Sequence, residues 1–241
     1  MTAGPVFTHH GFCNICERRT EFTALYDWFR DHLLCASCGS VPRERALMET
    51  IKRYYPKFAR LKIHESSPIG RGVSARLARD CRNYSFSHYL PDTPFGQVDP
   101  LYNARSETLE ALTFADGSFD LLITQDVMEH VFNPDAAFRE IARVLKPGGA
   151  HIFTVPITRK GDASRRRAQL EPDGTITHFL EPEYHGSPVS VRGSLVTMDW
   201  GYDIVRHIHE ASGMSSHIIM MDDLDRGIRA ELIDVVISFR R

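Results

Sequence analysis

The run FDLLITQDVMEHVFNPDAAFREIARVLKPGGAHIFTVP, Phe119 to Pro156, decides the fold class. Phe119 to Thr124 is a short apolar run of the kind buried on both faces of a parallel sheet. Pro134 to Leu145 places Ala137, Phe138, Ile141, Ala142, Val144 and Leu145 along one helical stripe. Lys146-Pro147-Gly148-Gly149 stops that helix with a cation and a breaker pair, and Ala150 to Val155 is a second strand.

The same alternation extends in both directions. Upstream, Pro42 to Tyr55 reads as a helix, Leu61 to Glu65 as a strand, Ser66 to Gly72 as a turn, Val73 to Asp80 as a helix and Asn83 to His88 as a strand. Downstream, Asp203 to Ser212 is a helix ended by Gly213, and His217 to Met221 and Leu232 to Phe239 are strands. Strands alternating with helices predict an α/β domain with a parallel sheet covered on both faces. The segment Pro156 to Trp200 breaks the pattern: it is long, polar and rich in Gly, Pro and His. Excess length of this kind is usually functional or disordered, and its Phe179, Leu180, Tyr184, Leu195, Val196 and Trp200 favour an ordered insertion.

Four of the five cysteines form two pairs, Cys13-x-x-Cys16 and Cys35-x-x-Cys38, with 18 residues between them. This spacing marks a zinc site: each knuckle turns two thiolates toward one ion, and two knuckles complete a tetrahedron. Disulfides are the rival reading, set against the reducing compartment expected for the chain. Four protein ligands leave no open position, so the metal is expected to be structural. Phe22, Leu25, Trp28, Phe29, Leu33 and Leu34 are expected to cover it. The organisation predicted is a zinc-binding module over residues 1–40 and a second domain over 41–241, with the insertion 156–200.

A net charge of −2 supplies no general attraction to nucleic acid. Two basic clusters, Arg43 to Arg53 and Arg165-Arg166-Arg167, read as an exposed helix face and a solvated loop. No apolar stretch approaches the roughly 20 residues of a membrane helix, and Met1 to His10 lacks a signal-peptide pattern, so a cytoplasmic location is expected.

The Phe119 to Pro156 run, with Asp116-Gly117-Ser118 before it, resembles the fourth-strand-to-fifth-strand segment of class I SAM-dependent methyltransferases. There an FD strand, a short EH-V turn and a helix ending in L-K-P-G-G precede a strand. The resemblance implies a Rossmann-like, seven-stranded, mostly parallel sheet with flanking helices, binding S-adenosylmethionine (SAM) outside the carboxyl ends of its strands. Weaker similarity runs from about residue 58 to the C-terminus. It carries Gln125 and Asp126 over as cofactor neighbours, with a turn cap as the other role for Asp126.

Two family motifs are altered. The acid-and-three-glycines turn is Glu65-Ser66-Ser67-Pro68-Ile69-Gly70-Arg71-Gly72. Counted from Glu65, Ser67, Ile69 and Arg71 hold the glycine places; one frame over, Gly70 and Gly72 match. The acid that ends the family's second strand is absent, which leaves Ser87, or Asp92 from the next loop, for the ribose. Glu107-Thr108-Leu109 is the implied adenine contact, with a solvent-exposed Glu107 as the alternative.

The insertion 156–200 leaves Ala150 to Val155 at its carboxyl end and is expected to form the acceptor side, with His178, Tyr184, His185 and Trp200 shaping the pocket. Removing a proton from the acceptor would suit a histidine. His130, His178 and His185 are the candidates, although His130 occurs in the family whatever the substrate. Three functions fit these residues: a methyltransferase for a small-molecule or glycan-like acceptor, an RNA methyltransferase gripping RNA with the zinc module, and a non-catalytic interaction protein on the same scaffold. The acidic balance disfavours the second.

Overall fold

The structure is a computed structural model and describes residues 4–241. The chain opens with a three-stranded antiparallel sheet, β1 (Phe7–Cys13), β2 (Arg18–Ala24) and β3 (Leu34–Cys35), with the single turn α1 (Phe29–His32) between the last two. Helix α2 (Pro42–Tyr54) follows, with Pro42 in its first turn and the Glu44 carboxylate accepting from the Val41 backbone N–H. Next come β4 (Lys62–Ser66), α3 (Gly72–Asp80), β5 (Asn83–His88), β6 (Val98–Asp99), β7 (Ala104–Ser106), β8 (Phe119–Gln125), α4 (Pro134–Val144) and β9 (Leu145–Thr154). After the insertion stand α5 (Ile204–Ser212), β10 (Ser215–Ile219) and β11 (Val235–Phe239).

Eight strands form the main sheet in the order β10-β11-β9-β8-β4-β5-β7-β6. β7, β5, β4, β8 and β9 are parallel; β11 runs antiparallel between β9 and β10. The eighth strand, one more than the family pattern implies, is the two-residue edge β6, antiparallel to β7. The winding direction reverses between β4 and β8, the switch point at which open α/β sheets bind ligands.

Both sheet faces are buried, which is why the strands read as continuous apolar runs. Leu121 and Ile123 of β8, Ile152 of β9 and Val235 and Ile237 of β11 face one apolar cluster; Leu122, Phe153 and Val236 face the other. α4 is capped by the Asn133 side chain and buries Ala137, Phe138, Ile141 and Val144 in the second cluster. The first cluster takes in Phe22, Ala24 and Leu33 of the cysteine module together with α2, α3 and the central strands. One core therefore runs across the junction near residue 40. Of the expected metal cover, Phe22 and Leu33 are buried, whereas Leu25, Trp28 and Leu34 are exposed.

The insertion is ordered as three short antiparallel pairs: Arg165–Arg166 with Met198–Asp199, Ala168–Leu170 with Ile176–His178, and Tyr184–His185 with Ser194–Leu195. Thr197 pins it to the turn after β8, donating from its backbone N–H to Glu129 O at 2.7 Å and from its hydroxyl to Val131 O at 2.6 Å. No helix among the described residues is long and apolar enough to cross a membrane.

Candidate active site

A cavity of about 1480 Å³ opens at the carboxyl ends of the parallel strands. Its floor comes from the sheet: Ser66, Ser67 and Ile69 after β4, Tyr89 to Asp92 after β5, Glu107 to Leu109 after β7, and Gln125 to Val127 after β8. Opposite stand insertion residues, among them Arg165, Arg167, His185 and Ser187.

The altered glycine turn keeps the backbone shape that glycine normally supplies. Ser67, in the first glycine place of the Glu65 frame, has φ +60, and Gly70 and Gly72 have φ +68 and +55. The Ser67 backbone N–H donates to Ser87 O at 2.8 Å, which ties the turn to β5. Glu65 lies beneath the turn, outside the cavity lining. Its carboxylate accepts from Ser74 Oγ, Tyr84 Oη and Gln125 Nε2, each at 2.7 Å, while burial pushes its pKa up against those bonds. Gln125 is thereby oriented, and its Oε1 is buried with no donor.

Several expected contacts are redirected. Gly70 is not among the lining residues, and Gly72 faces α2, where a Cβ would overlap the Glu44 carboxylate. Ser87 is fully buried and bonds His64 Nε2 at 2.9 Å, so it does not reach a ribose; Asp92, the loop alternative, does line the cavity. Glu107 is buried rather than solvent-exposed. Its carboxylate accepts from Arg105 Nε at 2.6 Å, from the Thr113 backbone N–H at 2.9 Å and from the Thr113 hydroxyl, so it serves its own loop first. Asp126 is no turn cap. It accepts from Arg30 at 2.7 Å, Arg43 at 2.9 Å and Thr154 Oγ1 at 3.0 Å. Burial would raise its pKa, but the two guanidinium groups outweigh that and hold it below the usual carboxylate range.

Arg30 comes from α1 of the cysteine module, and Trp28, Arg30, Asp31 and Arg43 all line the cavity. Their part was invisible in sequence, where Arg43 and Arg45 read as an exposed helix face. Arg45 is instead fully buried and donates to the carbonyls of Leu33, Ser40 and Gly227. Nor is Arg165-Arg166-Arg167 a solvated loop: Arg165 and Arg167 pair with Asp199, and Arg166 donates to Phe132 O.

Of the insertion residues expected to shape a pocket, His185 lines the cavity, whereas His178, Tyr184 and Trp200 do not. His178 and Tyr184 point to solvent, and Trp200 is in the core, donating to Met128 O at 3.2 Å. His130 also lines the cavity, its Nδ1 2.9 Å from Leu195 O. Between the two imidazoles lies Glu129, a residue sequence reasoning passed over. The Glu-His pair in the turn was its only signal, because burial of that carboxylate depends on the insertion folding over it. Glu129 and Glu183 hold the His185 imidazole above its usual pKa despite burial.

About the cysteines, geometry and sequence agree. Cys13 and Cys38 sulfurs are 3.8 Å apart, those of Cys16 and Cys35 3.9 Å, and all four lie within 4.8 Å with no disulfide. Sulfurs around a tetrahedral zinc at about 2.3 Å stand about 3.8 Å from one another.

Residues 87–153 match the family described as a methyltransferase domain. The chain is 31% identical over 119 residues to a sarcosine/dimethylglycine N-methyltransferase of Halorhodospira halochloris, covering 47% of this chain and 39% of that protein. It is 27% identical over 144 residues to a ubiquinone/menaquinone biosynthesis C-methyltransferase of Hahella chejuensis, covering 59% and 49%. The chain thus spans about half or less of the length of these curated relatives. A SAM-dependent methyltransferase from Mesorhizobium loti superposes with a TM-score of 0.52 at 15% identity, covering 81% of this chain and 98% of that one. A SAM-bound amino pentose methyltransferase from Micromonospora echinaspora gives 0.52 at 12% identity, over 82% and 90%. Residues 87–153 thus resemble a methyltransferase domain, the chain has the Rossmann-like fold of these solved structures, and a four-cysteine module is built onto the same core.

Proposed function

We infer that this chain transfers the methyl group of SAM to an oxygen or nitrogen of a small-molecule acceptor. The observation that carries the reading is the two-sided cavity: sheet-end loops form one wall and the insertion forms the other. SAM, when bound, supplies a methyl group activated by its sulfonium. The residues present fit it. Ser66, Ser67 and Ile69 offer a turn of the right backbone shape, and Gln125 Oε1, buried without a donor, is free to accept from an ammonium group. Asp92 and Tyr89 lie on the side of the ribose, and Thr108 and Leu109 on that of the adenine. Asp126, paired with Arg30 and Arg43, fixes the module against the end of β8 at the edge of the cavity.

Across the cavity, the group formed by Glu129, His130 and His185 is where an acceptor loses its proton. Placing the acceptor beside the activated carbon supplies much of the rate in such a reaction. Cys13, Cys16, Cys35 and Cys38 hold one structural zinc. The curated relatives' names include amine and quinone substrates, and the acceptor here falls among small molecules of that kind.

Calorimetry with S-adenosylhomocysteine tests the cofactor half, and micromolar binding is expected. No heat and no thermal shift at millimolar ligand would overturn it. With an acceptor in hand, His185→Ala should lower kcat by about 10²-fold with SAM affinity nearly unchanged. Turnover at the wild-type rate would remove His185 from the acceptor side.

A further inference from the structure

We propose that Glu129, His130 and His185 form a second metal site, a three-ligand centre for a first-row divalent cation on the acceptor side of the cavity. The Glu129 side chain is 2% exposed, yet neither of its oxygens has a hydrogen-bond donor among the described residues. A buried carboxylate with no hydrogen-bond donor is costly, and a cation held between it and the two imidazoles would remove that cost.

The surrounding geometry aims lone pairs at one point. His130 Nδ1 is 2.9 Å from the Leu195 carbonyl, so that nitrogen carries the proton and Nε2 is left as the lone-pair donor. That Nε2 stands 3.8 Å from Glu129 Oε1. His185 approaches the same oxygen with Nδ1 at 3.6 Å, while its Nε2 is 3.4 Å from Glu183 Oε1. A nitrogen held by an outer carbonyl or carboxylate, with the opposite nitrogen turned inward, is the usual arrangement of metal-binding histidines. The three ligand atoms lie within 4.8 Å of one another. Donors about 2.0–2.2 Å from a shared ion stand roughly 3–4 Å apart.

One hairpin assembles the site. His185 sits on one strand of the pair Tyr184–His185 and Ser194–Leu195, and Leu195 on the other strand orients His130. Two imidazoles and one carboxylate suit zinc, iron(II), cobalt(II) or manganese(II), and they leave coordination positions open. Those positions face the cavity, where all three residues are part of the lining. A hydroxyl bound there is acidified by the ion and gives its proton to water, leaving a coordinated alkoxide or phenolate. This role for the ion rests on the methyl-transfer reading above, whereas the binding site itself does not.

Cobalt(II), added to protein whose cysteine module is already filled with zinc, is the probe. Wild type should bind one further equivalent with a weak visible absorption and no thiolate charge-transfer band. Glu129→Gln and His130→Ala should each weaken that binding by at least about tenfold, with S-adenosylhomocysteine affinity retained as evidence that the fold is intact. His185→Ala, on the more exposed hairpin, gives the same expectation with the least risk to folding. Absence of the second equivalent in the wild type, or wild-type cobalt affinity in Glu129→Gln and His185→Ala, overturns the proposal. Cobalt binding without any S-adenosylhomocysteine binding supports the site and overturns the methyl-transfer reading; the reverse result overturns the site alone.

Discussion

At the scale of single residues, Asp126 and the turn after β4 carry the clearest consequences. Asp126 is the common partner of two guanidinium groups whose side chains are 9% and 14% exposed. Asp126→Asn leaves both cations without their counter-charge, and removing one member of a buried ion group costs about 3–5 kcal/mol. Urea unfolding should register that loss; a change below about 1 kcal/mol would mean the triplet behaves as a surface pair. In the turn, Ser67 holds a left-handed backbone that costs a side-chain-bearing residue about 1–2 kcal/mol. Ser67→Gly should therefore leave stability unchanged or improve it by up to about 1 kcal/mol. Gly72→Ala combines the same backbone cost with an overlap on the buried Glu44 carboxylate, and should lower stability by at least about 2 kcal/mol. Equal effects from the two substitutions would show that Glu44 gives way. Gly72 thus answers to helix packing and Ser67 to chain shape, which is why counting glycines identified the turn without showing which positions face the cavity.

At the scale of elements, two strands bury a histidine. His64 on β4 bonds Ser85 and Ser87, and His151 on β9 bonds Thr124 Oγ1 at 3.0 Å and stacks on Phe153. Burial pushes each imidazole down to about 3, with Arg105 adding to the effect at His64. In the unfolded chain each takes a proton near pH 6.5, so unfolding takes up protons below that value. Stability from these groups is complete above about pH 6.5 and declines as pH falls toward 3, by about 1.4 kcal/mol per pH unit for each histidine. Between pH 4 and 6, His151→Gln should flatten the stability slope by about one proton whatever its effect at neutral pH. An unchanged slope would show that His151 is protonated in the folded protein. Helices α2 to α5 and strands β4, β5, β8, β9, β10 and β11 fall within a few residues of their sequence reading, helped by the continuous apolar runs that burial on both faces writes into β8, β9 and β11. β1, β2, β3, β6, β7 and α1 escaped that reading: β1 and β2 mix polar and aromatic residues, as in Arg18–Ala24, and the other four span two to four residues.

At the scale of the whole molecule, the cysteine module and the α/β domain share one apolar cluster, and Trp28 and Arg30 of the module line the cavity. Metal analysis of freshly purified protein should find about one tightly held zinc at the cysteines. Cys35→Ser or strong chelation should then lower the melting temperature in a single transition and weaken S-adenosylhomocysteine binding, because Arg30 can no longer hold Asp126 at the end of β8. Two separate transitions, with cofactor affinity unchanged in the chelated protein, would show that the module is an independent appendage.

Sequence alone determined the α/β alternation, the helix stop before Lys146-Pro147-Gly148-Gly149 and the four zinc-spaced cysteines, since each depends on residues close together along the chain. The stretch Lys146 to Gly149 itself begins β9 and is not a separate turn. The excess length of residues 156–200 marked an ordered insertion, and His185 within it lines the cavity. Tertiary structure decided which polar groups are desolvated together. Glu129 and His185 are 56 positions apart, Arg30 and Asp126 are 96 apart, and the charge state and partners of each follow from the burial that the other segment imposes. A sequence gives the identity of a carboxylate; only the packed chain fixes whether an arginine, an imidazole or nothing at all stands in front of it.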